Sequence, residues 1–236
     1  MMRYRSGTFG RVEGTASARL VQRAVVCLAF VVALVAAVLL AVGPVDADAA
    51  ETEPRAAAGT KAVATFAAGC FWCVESDFDK VPGVLATTSG YTGGRTEHPD
   101  YESVSTGATG HFEALEVVYD PARVSYETLL AAFWQNVDPV DGRGQFCDRG
   151  PQYRPAIFVH SAEQRRLAEA SVRALQASGK LVQPIAVPVL DAATFTAAEP
   201  EHQDYYRKNP IRYKVYRHGC GRDQRLRQIW GSKASG

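Results

Sequence analysis

The apolar run of residues 63–67 stops at Gly69-Cys70, and a helix-like run opens at once with Phe71-Trp72-Cys73-Val74-Glu75. Any fold of this chain must therefore turn from strand to helix within two or three residues, with a cysteine at the corner. Such a thiol meets unpaired backbone N–H groups and the positive end of the helix dipole. That setting favours the thiolate, the nucleophilic form of cysteine. Phe71 and Trp72 offer apolar walls beside it. The same two rings also suit a helix packing face, and the two uses are compatible.

Strand and helix patterns alternate along the rest of the chain. Residues 61–67 read as a strand, 71–80 as a helix, 84–91 as a strand closed by Thr92-Gly93-Gly94, and 112–119 as another strand ended by Asp120-Pro121. Ser125 is placed to cap a helix whose Tyr126, Leu129, Leu130, Phe133, Trp134 and Val137 fall on one face. Residues 155–159 read as a strand, and Ser161-Ala162-Glu163-Gln164 opens a helix that Gly179 ends. Residues 185–190 read as the last strand, and residues 199–208 as a short helix. Residues 98–110 and 138–154 are expected as irregular loops, and the chain beyond Asn209 as mostly irregular. The order β-α-β-β-α-β-α-β argues for a single α+β domain, a central mixed sheet with helices packed on it.

The 236 residues suffice for one good-sized domain, and a net charge of +1 leaves no basic footprint for nucleic acid. Residues 24–42 are uncharged and apolar, preceded by Arg3, Arg5, Arg11, Arg19 and Arg23 and followed by Ala47-Asp48-Ala49. This is the pattern of a signal peptide, or of an uncleaved anchor with its arginines left inside. Residues 1–49 are accordingly assigned to export or anchoring, 50–60 to a linker and 61–236 to the catalytic domain. The protein is expected outside the cytoplasm, as a monomer, either free or held at a membrane. The domain keeps Cys70, Cys73, Cys147 and Cys220, whereas Cys27 lies in the apolar run. A domain of this size needs no disulfide staples, so its thiols point to chemistry.

Four blocks occur in a fixed order: Gly69-Cys70-Phe71-Trp72, Gly90-Tyr91-Thr92-Gly93-Gly94, Thr109-Gly110-His111-Phe112-Glu113 and Gln152-Tyr153-Arg154. Together they resemble peptide methionine sulfoxide reductase A. The resemblance implies a ferredoxin-like split βαβ core and thiol-dependent reduction of the S epimer of methionine sulfoxide, free or in oxidised proteins. It implies no metal and no organic cofactor, with an external dithiol such as thioredoxin as reductant. Residue by residue, it makes Cys70 the nucleophile and Glu113 the acid. Tyr101 and Tyr153 become hydroxyl donors to the sulfoxide oxygen, with Asp148 a further polar group of that site. Phe71 and Trp72 then enclose the substrate methyl. His111 is expected to make a structural hydrogen bond only.

The chemistry is consistent with these residue types. Sulfoxide reduction needs a nucleophile for sulfur and an acid for oxygen, and a carboxyl can be that acid at neutral pH if apolar surroundings raise its pKa. Attack leaves Cys70 as a sulfenic acid, which a second thiol converts to a disulfide. The best-known relatives carry two cysteines in a Gly-rich tail, whereas this tail has Cys220 alone. The order of candidates for the resolving thiol is Cys220, then Cys147, then Cys73. Two rival readings are a general dithiol oxidoreductase built on Cys70-x-x-Cys73 and a zinc site using all four cysteines.

Overall fold

The computed structural model describes residues 59–231. The expected signal or anchor segment, and the linker up to residue 58, lie outside the described residues. No helix among the described residues is long and apolar enough to cross a membrane.

The first three strands and first helix form a split βαβ unit. Strand β1 is Ala62–Ala68, helix α1 Phe71–Phe78, strand β2 Val84–Thr92 and strand β3 Phe112–Tyr119. β3 lies between β1 and β2 and runs antiparallel to both. β1 and β2 are therefore parallel, with α1 as their crossover. A short helix α2, Tyr101–Ser105, sits between β2 and β3, and helix α3, Tyr126–Gln135, follows β3. A two-stranded hairpin comes next, β4 at Gly144–Gln145 and β5 at Asp148–Arg149, then a 3₁₀ turn at Pro151–Tyr153 and strand β6 at Pro155–Val159. β6 pairs antiparallel with β1 on its other side. Helix α4, Ala162–Ala177, leads to β7, Val189–Asp191, and β8, Phe195–Ala197. The six-stranded order is β7-β6-β1-β3-β2-β8, with β6 and β7 its parallel pair. Its centre, β6-β1-β3-β2, is the ferredoxin-like arrangement.

Strand alternation divides the side chains between the two faces of the sheet. Ala64, Phe66 and Ala68 of β1, with Leu115 and Val117 of β3, meet Val74 and Phe78 of α1, Leu129, Leu130 and Phe133 of α3, and Ala168 of α4. Phe66 lies at the centre of this core, its ring 5.1 Å from Phe78 and 5.3 Å from Phe133. Each such buried ring contributes on the order of 1.5–3 kcal/mol. Ala67, Phe112, Ala114, Ala156 and Phe158 form a smaller cluster on the opposite face. By the same alternation Glu113 shares a face with Leu115 and Val117, so a carboxyl is directed to the helix-covered side, next to α1.

The expected caps are present. Ser125 Oγ accepts from the Thr128 N–H at 3.2 Å, and Ser161 Oγ from the Gln164 N–H at 3.1 Å. The Gln164 side chain accepts from the His160 N–H at 2.9 Å. The full stripe from Tyr126 to Val137 is buried.

Three local expectations are corrected. Residues 98–110 contain α2, fixed by a capping box in which Asp100 and Ser103 exchange bonds. The last strand pairing is not one strand at 185–190 but the short pair β7 and β8, on opposite edges of the sheet. The chain after Asn209 is helical: after the four-residue helix α5, Tyr205–Lys208, come α6, Pro210–Gly219, and α7, Arg222–Trp230. The apolar residues of α6 mislead because Ile211 and Val215 are 79% and 69% exposed. The packed side of α6 carries Tyr213, Tyr216 and Arg217, and α7 is seated by Arg222 and Leu226. Neither helix has an apolar stripe to read.

Candidate active site

Gly69 makes the corner at which the site is built. Its φ is +83°, and a Cβ there would lie 2.6 Å from the Gln145 Cβ. Only glycine takes that conformation and that approach without strain. The chain leaves β1, turns, and presents Cys70 as the N-cap of α1.

Glu113 lies directly beneath this helix start. Its Oε2 accepts the Phe71 N–H at 3.0 Å, so one of the orphan donors of α1 is satisfied by a carboxyl from β3. Glu113 is only 2% exposed. Burial dominates its titration and pushes the carboxyl up to about 8, against the smaller opposing effect of that hydrogen bond. At neutral pH it is an acid with a proton to give.

Cys70 and Cys73 are free thiols, 6% and 2% exposed. Burial, the hydrogen bond shared with Cys73 and the nearby Glu113 and Asp148 carboxyls push the Cys70 thiol well up. The same hydrogen bond pulls Cys73 down despite its burial, helped by the Arg222 and Arg217 guanidiniums. The helix start was expected to favour a thiolate at Cys70. Burial thus opposes the thiolate at Cys70, and of the two thiols Cys73 is the one shifted toward the charged form.

An aromatic shell surrounds this centre. Phe71 is fully buried among Tyr91, Val104 and Ala198, with Trp72 and Tyr101 at its edge. Trp72 stacks on Tyr205 at 3.7 Å and meets the edge of Tyr216 at 5.6 Å. Its indole N–H donates to His202 Nδ1 at 3.1 Å, and His202 stacks on Tyr101 at 4.2 Å. Tyr101 is held by its backbone, whose N–H donates to Glu199 Oε1 at 2.7 Å. The Tyr91 hydroxyl donates to the other Glu199 oxygen at 2.8 Å, and Tyr91 sits directly across from Glu113 in the β2–β3 register. Tyr153 closes the 3₁₀ turn. Burial, and then Glu113, Tyr101, Cys70 and Asp148, raise the Tyr153 hydroxyl, and burial and Glu113 raise Tyr101 to about 12. Both phenols remain hydrogen-bond donors.

Asp148 faces two ways. Its carboxylate accepts the Tyr216 hydroxyl at 2.6 Å and lies 3.7 Å from the sulfurs of both Cys147 and Cys220. Its charge is also felt by Cys70 and Glu113. Cys147 and Cys220 are joined in a disulfide. The four cysteines of the domain thus form two pairs; among the described residues the donor group gathered within 4.8 Å is Cys147, Asp148 and Cys220, and it does not include Cys70 or Cys73. The disulfide also engages Cys220, the first candidate for the resolving thiol, and leaves Cys73 hydrogen-bonded to Cys70. His111 makes structural bonds, its Nδ1 accepting the Gly94 N–H at 3.2 Å and its Nε2 reaching Thr96 O at 2.9 Å.

Sequence reasoning gave Tyr91 no role beyond its motif and passed over Glu199, His202, Tyr205, Tyr216 and Arg222. For Glu199, His202 and Tyr205 the available signal was the polar and aromatic run Glu199-Pro200-Glu201-His202-Gln203-Asp204-Tyr205-Tyr206, dense in functional groups and without a period. Arg222 gave no signal, since an isolated arginine reads as surface.

Comparison with known proteins agrees with this geometry. The family model for peptide methionine sulfoxide reductase matches residues 62–234. A peptide methionine sulfoxide reductase A from Bacillus licheniformis is 52% identical over 171 residues, covering 72% of this chain and 94% of the relative. The protein of the same description from Bacillus subtilis is 49% identical over 173 residues, covering 73% and 98%. Among solved structures, methionine sulfoxide reductase A of Corynebacterium diphtheriae superposes with a TM-score of 0.54 at 35% identity, over 66% of this chain and 78% of that one. Reduced Mxr1 from Saccharomyces cerevisiae gives 0.59 at 31% identity, over 64% and 86%. With the family model matched over residues 62–234 and relatives of the A type about half identical along nearly their whole length, the chain belongs to the peptide methionine sulfoxide reductase A family.

Proposed function

We propose that the site reduces the S epimer of methionine sulfoxide, free or within oxidised proteins, and that the residues divide the work as follows. The observation that carries this reading is the buried, protonated Glu113 bonded to the N–H of Phe71, the residue that follows the thiol. Cys70 Sγ attacks the sulfoxide sulfur, and its proton passes along the existing hydrogen bond to the Cys73 thiolate. Glu113 protonates the sulfoxide oxygen. The S–O bond breaks as that oxygen passes to Cys70, which gives methionine, a Cys70 sulfenic acid and a Glu113 carboxylate. Tyr101 and Tyr153 donate to the oxygen as charge builds on it. Cys73 then attacks the Cys70 sulfur, water departs, and a Cys70–Cys73 disulfide closes.

Cys73 takes the resolving role because it is already in contact with Cys70. Phe71 and Trp72 hold the methyl while Glu113 and the tyrosines hold the oxygen. With two substituents fixed, one face of the sulfur is turned to Cys70, so one epimer reacts. The electrons come from an external thioredoxin-like dithiol. The disulfide in the described domain is in keeping with the export proposed from the N-terminal residues, since such bonds persist in oxidising compartments.

Single-turnover assays on the separated epimers test this reading. The S epimer is expected to give methionine, the R epimer none, and Cys70→Ser none with either. Equal rates for the two epimers would overturn the assignment. In Cys73→Ser the Cys70 sulfenic acid should persist and become trappable by a 1,3-dione.

A further inference from the structure

Choosing one sulfoxide epimer requires a fixed spacing between the methyl wall and the oxygen donor. Trp72 comes from α1 and Tyr101 from α2, and one side chain touches both. Tyr205 covers the face of Trp72 at 3.7 Å, with the planes 7° apart. Such a stack holds the plane of the indole but resists sliding or turning within that plane only weakly. The indole N–H supplies the missing restraint, because it donates to His202 Nδ1 at 3.1 Å. The same imidazole stacks on Tyr101 at 4.2 Å and lies 5.5 Å from the Phe71 ring.

His202 is itself well anchored. Its backbone N–H donates to Glu199 O at 2.9 Å, and the Glu199 carboxylate ties together the Tyr91 hydroxyl and the Tyr101 N–H. On its other side, the Gln203 side chain accepts the Ser89 N–H at 2.9 Å and donates to Ser89 O at 2.8 Å and Ala198 O at 2.9 Å. His202 is 9% exposed. With Nδ1 accepting, the ring proton rests on Nε2 and the imidazole is neutral. Burial favours that form by lowering its pKa, against the opposing pull of Glu199 and Glu201. Packing alone would need a ring here and no acceptor, so the bond to the indole is what packing leaves unexplained.

We infer that His202 is a positioning residue for the reaction: its bond to Trp72 sets the width of the methyl slot, and its stack on Tyr101 sets where the phenol hydroxyl meets the sulfoxide oxygen. The inference rests on the sulfoxide reductase reading and on the assignment of Phe71 and Trp72 to the methyl. The two contacts act on different quantities. Freeing the indole widens the slot, so a larger alkyl group on sulfur is admitted and discrimination by size falls. Displacing Tyr101 leaves the slot as it was and weakens a bond that strengthens as charge builds on oxygen, so kcat falls.

Two variants of the full-length protein separate these contacts. His202→Phe keeps a ring against Tyr101 and removes the acceptor. His202→Asn keeps an acceptor oxygen near the place of Nδ1 and removes the ring. Each is assayed with the S epimers of methionine sulfoxide and ethionine sulfoxide, which differ by one methylene, a difference that an apolar slot discriminates by roughly 10–200-fold. His202→Phe should lower the methyl-over-ethyl ratio of kcat/KM by about tenfold. His202→Asn should hold that ratio within about twofold of wild type and lower kcat by about tenfold on both substrates. In nitrogen–proton correlation spectra the Trp72 indole peak, identified by its loss in Trp72→Phe, should move in His202→Phe and stay near its wild-type place in His202→Asn. Replacing the Trp72 indole by benzothiophene, which keeps the shape and has no N–H, should reproduce the lost discrimination with His202 in place, and it decides the matter should His202→Phe fold poorly. An unchanged methyl-over-ethyl ratio in His202→Phe or in the benzothiophene protein would overturn the proposal. So would an equal loss on both substrates from both variants, the mark of a merely structural histidine. A wild-type protein that reduces neither S-sulfoxide would instead strike the reductase reading beneath it.

Discussion

Glu113 shows what one buried side chain can set. Free carboxyls are ionised at neutral pH, but here burial holds the proton to about pH 8. The folded state binds a proton that the unfolded chain has already lost above the ordinary value of 4.5. Its contribution to stability is therefore complete below that value and is lost as pH rises through about 8. Activity follows the same proton. The single-turnover rate should fall about tenfold per pH unit above about 8. At the acid end it should fall as Cys73 becomes protonated, below the ordinary thiol range. Glu113→Gln should remove the alkaline limb and lower the rate roughly 10²–10⁴-fold. A stopped-flow pH profile of wild type and variant checks this, and a Glu113→Gln protein with the wild-type alkaline limb would exclude Glu113 as the acid.

At the scale of elements, the junction between β1 and α1 positions the chemistry. The sequence marked it through the period change at Gly69-Cys70, and the caps at Ser125 and Ser161 were equally visible, because each depends on residues within four of one another. The role of Gly69 depends also on Gln145, far away in sequence. Gly69→Ala combines a positive φ with a 2.6 Å approach to the Gln145 Cβ. It should displace Cys70 from Glu113, lower kcat/KM by at least about tenfold and cost roughly 1–3 kcal/mol. Urea unfolding alongside kinetics would show both effects. The C-terminal helices were not visible in the same way. The packed sides of α6 and α7 carry tyrosine and arginine, while Ile211 and Val215 face solvent, so their periodicity describes neither helix.

Across the whole molecule, Arg222 joins the tail to the site. It is 1% exposed, donates to Ala68 O at 3.2 Å and Asn136 O at 2.6 Å, and lies 4.6 Å from the Phe146 ring centroid. Its Nε is 3.8 Å from Asp77. Arg222→Met keeps much of the volume but leaves two carbonyls without their donor and Asp77 to Arg217 alone, for an expected loss of about 1–3 kcal/mol per orphaned carbonyl. Because the guanidinium also lowers Cys73, the variant's Cys73 should titrate higher. A lower urea midpoint, with slower alkylation at neutral pH of Cys73 in a Cys70→Ser background, would confirm the double role. An unchanged alkylation rate would confine Arg222 to structure.

The sequence by itself determined the alternation of strands and helices, the helical core stripe and the blocks carrying Cys70, Glu113 and Tyr153, because these depend on local period, local capping and short motifs. Only the tertiary structure decided which cysteines pair, which thiol of the inner pair is shifted toward its charged form, and that Glu199, His202, Tyr216 and Arg222 border the site. Those outcomes come from burial and from contacts mostly between residues far apart in the chain, and no local pattern encodes either.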